Sequence, residues 1–232
     1  KSRCLTHIIP KQYGISWLHI IRKLTESEAK MGAILANLTR TVVAGFVLVI
    51  LLFIMYYSYG DFDGGAFWKF LWRWAHVLSG VMWIGILWYF NFVQIPNMGK
   101  IPDDQNPAIS KVIAPAALFW FRWAAMATIV TGLAVGSMNG YIVEALSLGM
   151  TEGATGGHRL IGIGMWFGII MWFNVWFIIW PNQKKALGIV DATADEKAAA
   201  ARTAMLFSRT NTLLSFPMLF AMVSAQSLYN LS

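Results

Sequence analysis

Apolar residues occur along this chain in five long runs that are separated by short polar segments. An α-helix needs roughly 20 residues to cross the hydrocarbon core of a bilayer, which is about 30 Å thick. All five runs are close to that length or exceed it, so the pattern predicts an all-helical protein with five transmembrane spans. The spans are expected at about residues 41–59, 67–95, 114–137, 156–180 and 212–229.

The segments outside these runs have characters of their own. Residues 1–40 form a basic amino-terminal arm, part of which is weakly amphipathic and favours a helix lying on the membrane surface. Residues 41–232 are taken as the membrane domain. The charged, alanine-rich segment 182–209 predicts a helix outside the membrane, capped by Asp191 or Thr193. In the fifth span Pro217 is expected to cause a kink.

Composition agrees with a membrane protein. The chain is 57% hydrophobic and 12% charged, with a mean hydropathy of +0.56, whereas a soluble domain carries about 25% charged residues. The net charge of +7 does not indicate nucleic-acid binding, because basic residues in a membrane protein mark its cytoplasmic side. Segments 60–66 and 138–157 hold no Lys or Arg. The expected orientation in the inner membrane therefore has the amino terminus cytoplasmic and the carboxyl terminus periplasmic.

The second and fourth spans carry the same phrase. One reads HVLSGVMWIGILWYFNFVQIPN from His76, and the other reads HRLIGIGMWFGIIMWFNVWFIIWPN from His158. Each has a Gly four residues after the His, then Trp-x-Gly, an aromatic-Asn pair and Pro-Asn. Because the third and fifth spans return in the opposite direction, the chain reads as two tandem two-helix repeats. Such repeats predict a four-helix bundle, with the first span peripheral to it.

Under this symmetry His76 and His158 face each other near the outer end of the bundle. Ionisable residues within spans are costly and usually face a bundle interior. A single histidine there can simply bond a neighbouring carbonyl, but a symmetric pair of neutral imidazoles matches the axial ligands of a b-type haem. The pair therefore predicts haem b. Two axial histidines leave no open position on the iron, which indicates electron transfer.

Six more residues complete the predicted haem site. Glycines one turn from each histidine leave room for a porphyrin edge, arginines at the outer end suit the propionates, and tryptophans wall the space. Snorkelling of the arginines and ordinary packing of the tryptophans are the simpler explanations. The six are Gly80 and Gly162, Arg73 and Arg159, and Trp83 and Trp166.

Other chemistries find less support in the sequence. The 12 methionines include potential soft ligands for copper. Because no Met-x-Met or His-x-His cluster occurs, copper is less favoured than haem. The single cysteine, Cys4, excludes an internal disulfide and the C-x-x-C-H attachment of a c-type haem. P-loop, dinucleotide-binding and zinc motifs are also missing from the sequence.

The stretch WRWAHVLSGVMWIGILWYFNFVQ, with FWFRW in the third span and WPNQKKALG after the fourth, resembles the membrane domain of bacterial membrane-bound urate oxidases (urate hydroxylases). The resemblance covers about residues 66–230. It implies a bacterial inner-membrane protein that passes electrons from urate to a carboxy-terminal cytochrome c domain. Because C-x-x-C-H does not occur here, that domain is expected to be missing. A periplasmic c-type cytochrome or a larger membrane redox complex is then the expected partner, besides membrane lipid.

Two other functions stay open. The chain is also compatible with a structural or assembly subunit of a membrane bioenergetic complex that binds no cofactor. It is equally compatible with a urate-oxidising enzyme, an oxidoreductase, that uses a separate cytochrome c. A reduced-minus-oxidised visible spectrum of the purified protein separates a haem protein from a colourless subunit, and reduction by urate identifies the enzyme.

Overall fold

The structure is a computed structural model that describes residues 22–24, 28, 31–60 and 62–231. Within these residues the chain is all-helical, and five helices are long and apolar enough to cross a membrane, with mean hydropathies from 1.3 to 2.4. The predicted all-helical architecture with five spans is therefore confirmed. The helices are α1 (Leu38–Ser58), α2 (Gly64–Met98), α3 (Asn106–Met138), the short α4 (Ile142–Leu146), α5 (Gly156–Ala186) and α6 (Ala194–Tyr229).

The chain divides into two compact units, Lys1–Asp63 and Gly64–Ser232. In the first unit, α1 begins after Asn37, whose side chain accepts a hydrogen bond of 3.1 Å from the amide of Arg40. Side-chain capping of this kind satisfies an amide that has no partner within the helix. Most of the predicted arm, and with it the proposed surface helix, lies outside the described residues.

The second unit consists of two helical hairpins. Helix α2 packs along α3, and α5 packs along α6, so that each hairpin is one copy of the sequence repeat. Contacts of α3 with α5 and of α2 with α6 join the hairpins. Where they meet, both contribute large side chains to one core. Its members include Trp83, Leu87 and Phe90 of α2, Leu118 and Phe121 of α3, and Met171, Val175 and Ile179 of α5.

Three of the long helices contain a π-helical segment that the sequence did not predict. These segments are Tyr89–Gln94 in α2, Ile109–Ile113 in α3 and Asn174–Ile179 in α5. The first and third fall at matching places in the two repeats, directly before the Pro-Asn pair. A π-helical turn inserts one residue into a helix and rotates the side chains that follow it. The repeat therefore extends to local backbone geometry.

The asparagine of each aromatic-Asn pair bonds to α6. Asn91 donates from Nδ2 to Ser208 Oγ at 2.8 Å, and Asn174 donates from Nδ2 to Asn211 Oδ1 at 2.8 Å. Asn211 in turn donates to the carbonyl of Met171 at 2.9 Å. Amides shielded from water require partners, so these bonds fix the register of α2 and of α5 against α6.

Helix α6 joins two elements that the sequence pattern separated. The predicted extramembrane helix of segment 182–209 and the fifth span form one helix of 36 residues. Thr193 caps it as expected, and its hydroxyl and the Glu196 carboxylate form a reciprocal capping box. Pro217 lies within the helix without ending it. At about 1.5 Å per residue the helix exceeds the thickness of the hydrocarbon core, so its charged first turns extend beyond it.

Candidate cofactor site

A cavity of about 570 Å³ lies inside the second unit, between α2, α3, α5 and α6. Its walls are mostly apolar, and glycines on three of the four helices widen it: Gly80, Gly85, Gly132 and Gly168. Polar side chains also reach it. The polar lining consists of Arg73, His76, Thr128, Tyr141, Gln226 and Ser227. A concave, mostly apolar space with a few convergent polar groups is the usual form of a ligand or cofactor site.

His76 is held in this cavity through one ring nitrogen. Its Nδ1 lies 3.0 Å from the carbonyl oxygen of Thr128 and 3.2 Å from Oγ1 of Thr131. A carbonyl only accepts, and the Thr131 hydroxyl already donates to the carbonyl of Ala127 at 2.6 Å. We therefore assign the proton to Nδ1. In the neutral ring this leaves the Nε2 lone pair available, as in most metal-binding histidines.

The glycine at position 132 makes the position of His76 possible. A Cβ atom built on Gly132 would lie 2.9 Å from Cε1 and 3.2 Å from Nδ1 of His76. Real Cβ contacts are not found that close, so any side chain here would displace the imidazole. Helix α3 thus contributes both the hydrogen-bond acceptors of His76 and the space that its ring occupies.

Arg73 lies on α2, one turn before His76, and lines the same cavity. Its Nε is buried and has no hydrogen-bond partner among the described residues. The phenol of Tyr141, between α3 and α4, also lines the cavity. Burial raises the pKa of Tyr141 above its ordinary value, and the positive charge of Arg73 partly offsets that rise. The cavity therefore contains the positively charged Arg73, whose Nε has no partner among the described residues, and the neutral phenol of Tyr141.

Of the eight residues that the sequence assigned to a haem site, four line the cavity and four do not. Those that line it are Arg73, His76, Gly80 and Trp83, all from the first repeat. Those that do not are His158, Arg159, Gly162 and Trp166, all from the second repeat. The structure therefore does not bring His76 and His158 together in this cavity.

The histidine of the second repeat has a local partner. His158 Nδ1 accepts a hydrogen bond of 3.0 Å from the amide of Thr155, and the two residues form a capping box at the start of α5. Arg159 packs against Gly149. These side chains therefore end in contacts with the segment that precedes α5.

The other two residues, Gly162 and Trp166, contact the short helix α4. Gly162 packs directly against the backbone carbonyl of Ala145, and Trp166 donates from Nε1 to the carbonyl of Leu146 at 3.0 Å. The segment around α4, which lies between the third and fourth predicted spans, thus covers the glycine that the repeat predicted to face a porphyrin edge. Within the part of the chain that the structure describes, no group of three or more His, Cys, Asp or Glu could hold a metal ion.

Several residues that line the cavity or bond to His76 were not predicted from the sequence. Thr128 and Thr131 lie three residues apart in an apolar helix, where they share a face, and this spacing was the signal for a polar partner. Tyr141 follows the end of α3 and gave no such signal. Three methionines on α5 and α6 also line the cavity: Met165, Met218 and Met222.

Five apolar helices, four of them forming two hairpins around a cavity, place this chain in the class of multi-pass helical membrane proteins. Residues 135–230 match the family model described as urate oxidase N-terminal. The match supports a urate-oxidase-like family and covers all of α4, α5 and α6, whereas the phrase around His76 lies before it. No curated protein and no solved structure matches the chain.

Proposed function

We propose that the chain is a membrane-embedded haem b protein that uses His76 as an iron ligand and transfers electrons. One observation carries the proposal: His76 is fixed through Nδ1, with its other nitrogen free, beside an apolar cavity of about 570 Å³. Haem b, when bound, supplies one-electron redox chemistry. The chain's own part is to hold the iron through His76, exclude water with apolar walls and leave porphyrin space at the glycines.

Arg73 would provide the counter-charge of a propionate. Its buried Nε has no partner among the described residues, and an arginine that lines a cavity without an anion has an unmet requirement for one. A second residue that would hold the iron is less clearly indicated. His158 is engaged in the cap of α5, whereas the cavity methionines carry thioethers that bind haem iron in cytochromes. We therefore assign the principal iron contact to His76 alone.

The test compares His76→Ala with His158→Gln in the purified full chain. Gln suits the third position of a helix as a capping residue, so this control preserves the start of α5. We expect a sharp alpha band in the reduced-minus-oxidised spectrum of the wild type and of His158→Gln, and its loss in His76→Ala. Helical circular dichroism checks that each variant is folded.

The possible outcomes separate the alternatives. Loss of the alpha band in both variants, with folding intact, would indicate that His76 and His158 both bind the haem iron. A folded wild type that stays colourless when it is produced with added haem contradicts a haem function. In that case the structural or assembly subunit becomes the better explanation.

We further propose that urate is the electron donor and that a separate c-type cytochrome is the acceptor, in the inner membrane with the amino terminus cytoplasmic. The match to a urate oxidase N-terminal family supports this finer assignment. Anaerobic urate should reduce the oxidised protein, while xanthine at the same concentration should not. Reduction by neither compound would leave an electron carrier without urate activity.

A further inference from the structure

A second cluster of unusual residues lies where α5 ends, away from the cavity lining. The guanidinium carbon of Arg122, on α3, lies 3.3 Å from the ring centroid of Trp180 and 5.8 Å from that of Trp176. Nζ of Lys184 lies 5.7 Å from the ring of Trp180. Two positive charges from different helices therefore share one indole.

The hydrogen-bond donors of this cluster are largely unused. In the described part of the chain, Arg122 has one acceptor, the carbonyl of Leu118, which lies 3.3 Å from Nε. A guanidinium whose carbon lies over an aromatic face still has N–H groups at its edge, and these can bind an anion. The indole nitrogen of Trp176 is also buried and has no partner among the described residues. The cluster thus combines two cations with a second, independent donor.

The place of the cluster in the helix indicates which anion it meets. Trp180 begins the last two turns of α5, and Lys184 and Lys185 follow in its final turn. Tryptophans and snorkelling lysines mark the boundary between hydrocarbon and headgroups in membrane helices. Arg122 is half-buried within an otherwise apolar stretch of α3. A charge in that setting requires a counter-charge nearby, and an anionic lipid headgroup can supply one at the boundary that the tryptophans and lysines mark.

We propose that Arg122, Lys184 and the two tryptophans bind the phosphate of an anionic phospholipid of the phosphatidylglycerol type. The guanidinium edge and the ammonium group contact the phosphate oxygens, and the Trp176 ring packs beside the guanidinium. Trp180 holds the guanidinium in place. This site depends on the chain lying in a membrane and is independent of any haem.

The test uses the full chain in a neutral detergent, with phosphatidylglycerol or phosphatidylcholine added and bound lipid measured by native mass spectrometry. A hydrogen-bonded charge contributes about 1.5–3 kcal/mol, so Arg122→Gln should weaken phosphatidylglycerol binding by about tenfold or more. A nearby surface cation contributes about 1 kcal/mol, so Lys184→Gln should weaken it about fivefold. Arg202→Gln, at an exposed cation of α6, is the matched control and should change it by less than about twofold.

Three results would overturn the proposal: equal binding of phosphatidylcholine, equal losses in Arg122→Gln and Arg202→Gln, or displacement of the lipid by inorganic phosphate at the same concentration. The last would identify a site for free phosphate. If Arg122→Gln does not fold, Lys184→Gln decides, because Lys184 lies in the last turn of α5 and its ammonium group is 5.7 Å from the ring of Trp180. An unchanged affinity in that variant contradicts the site.

Discussion

The contact between Gly132 and His76 gives the sharpest test of the cavity geometry. Gly132→Ala would place a methyl group 2.9 Å from Cε1 and 3.2 Å from Nδ1 of the imidazole. The ring must move, and its bond to the Thr128 carbonyl must lengthen. Overpacking of this kind costs about 1–3 kcal/mol. This cost is partly offset by about 0.5–1 kcal/mol, because alanine favours a helix more than glycine does. The expected net loss is therefore about 1–2 kcal/mol.

Gly80→Ala is the matched control, because Gly80 lines the same cavity and has nothing within 4 Å of its added Cβ. This variant should gain the helix preference without the clash, so the two variants should differ by about 2 kcal/mol. In a chain of this length each kcal/mol shifts the midpoint of thermal unfolding by about 2–4 °C. Gly132→Ala should therefore melt about 4–8 °C below Gly80→Ala in the same detergent, as followed by helical circular dichroism.

The double variant Gly132→Ala with His76→Ala shows whether the cost arises at the imidazole. Neighbouring residues that share a contact give non-additive effects. With the ring removed, the methyl group has space, and the Gly132 substitution should no longer destabilise. A Gly132→Ala protein as stable as Gly80→Ala, or a penalty that persists without His76, would refute this description of the cavity wall.

Two further substitutions test the packing of α6. Asn211→Ala removes a fully buried amide with two hydrogen bonds to α5 and should lower the free energy of unfolding by about 1–3 kcal/mol. Asn97→Ala, whose exposed amide donates within its own helix, should cost less than about 1 kcal/mol, and equal losses would contradict the network. Thr193→Ala removes the α6 cap and should cost about 1 kcal/mol, with faster amide hydrogen exchange in the first turn. Thr203→Ala, whose hydroxyl bonds only one turn back, should leave that exchange unchanged.

The architecture of the membrane domain followed from the sequence because its determinants are local. The apolar runs, the polar breaks and the repeated phrase predicted five spans, and Thr193 with Glu196 marked the start of α6. The charged helix and the fifth span were predicted as two elements, but they form one helix, because the composition changes there while the backbone remains helical. The π-helical segments left no signal in a pattern read at 3.6 residues per turn, since they shift that period only locally.

The candidate site followed from the sequence in its first half only. The polar residues of the first repeat were noticed because a polar group within an apolar helix is costly and therefore informative. They are His76 and Arg73, and the spacing from His76 then indicated Gly80 and Trp83. Their partners on α3 were not found. Which face of α3 meets His76 depends on how two helices pack, and neither Gly132 nor Thr128 carries that information alone.

The two histidines show that the symmetry between the repeats does not extend to the surroundings of these residues. The tandem repeat duplicates helices, hydrogen bonds to α6 and π-helical turns, but the linker between the hairpins has only one copy and contains α4. That helix covers Gly162 and bonds Trp166, so these two residues do not line the cavity as Gly80 and Trp83 of the first repeat do. The sequence carried a sign of this difference. Thr155 stands three residues before His158, which is the spacing of a capping box, whereas His76 lies well inside α2, where no amide awaits a cap. A histidine with a local partner of this kind needs no cofactor to explain it, whereas His76, whose partners all come from α3, is the residue for which we propose one.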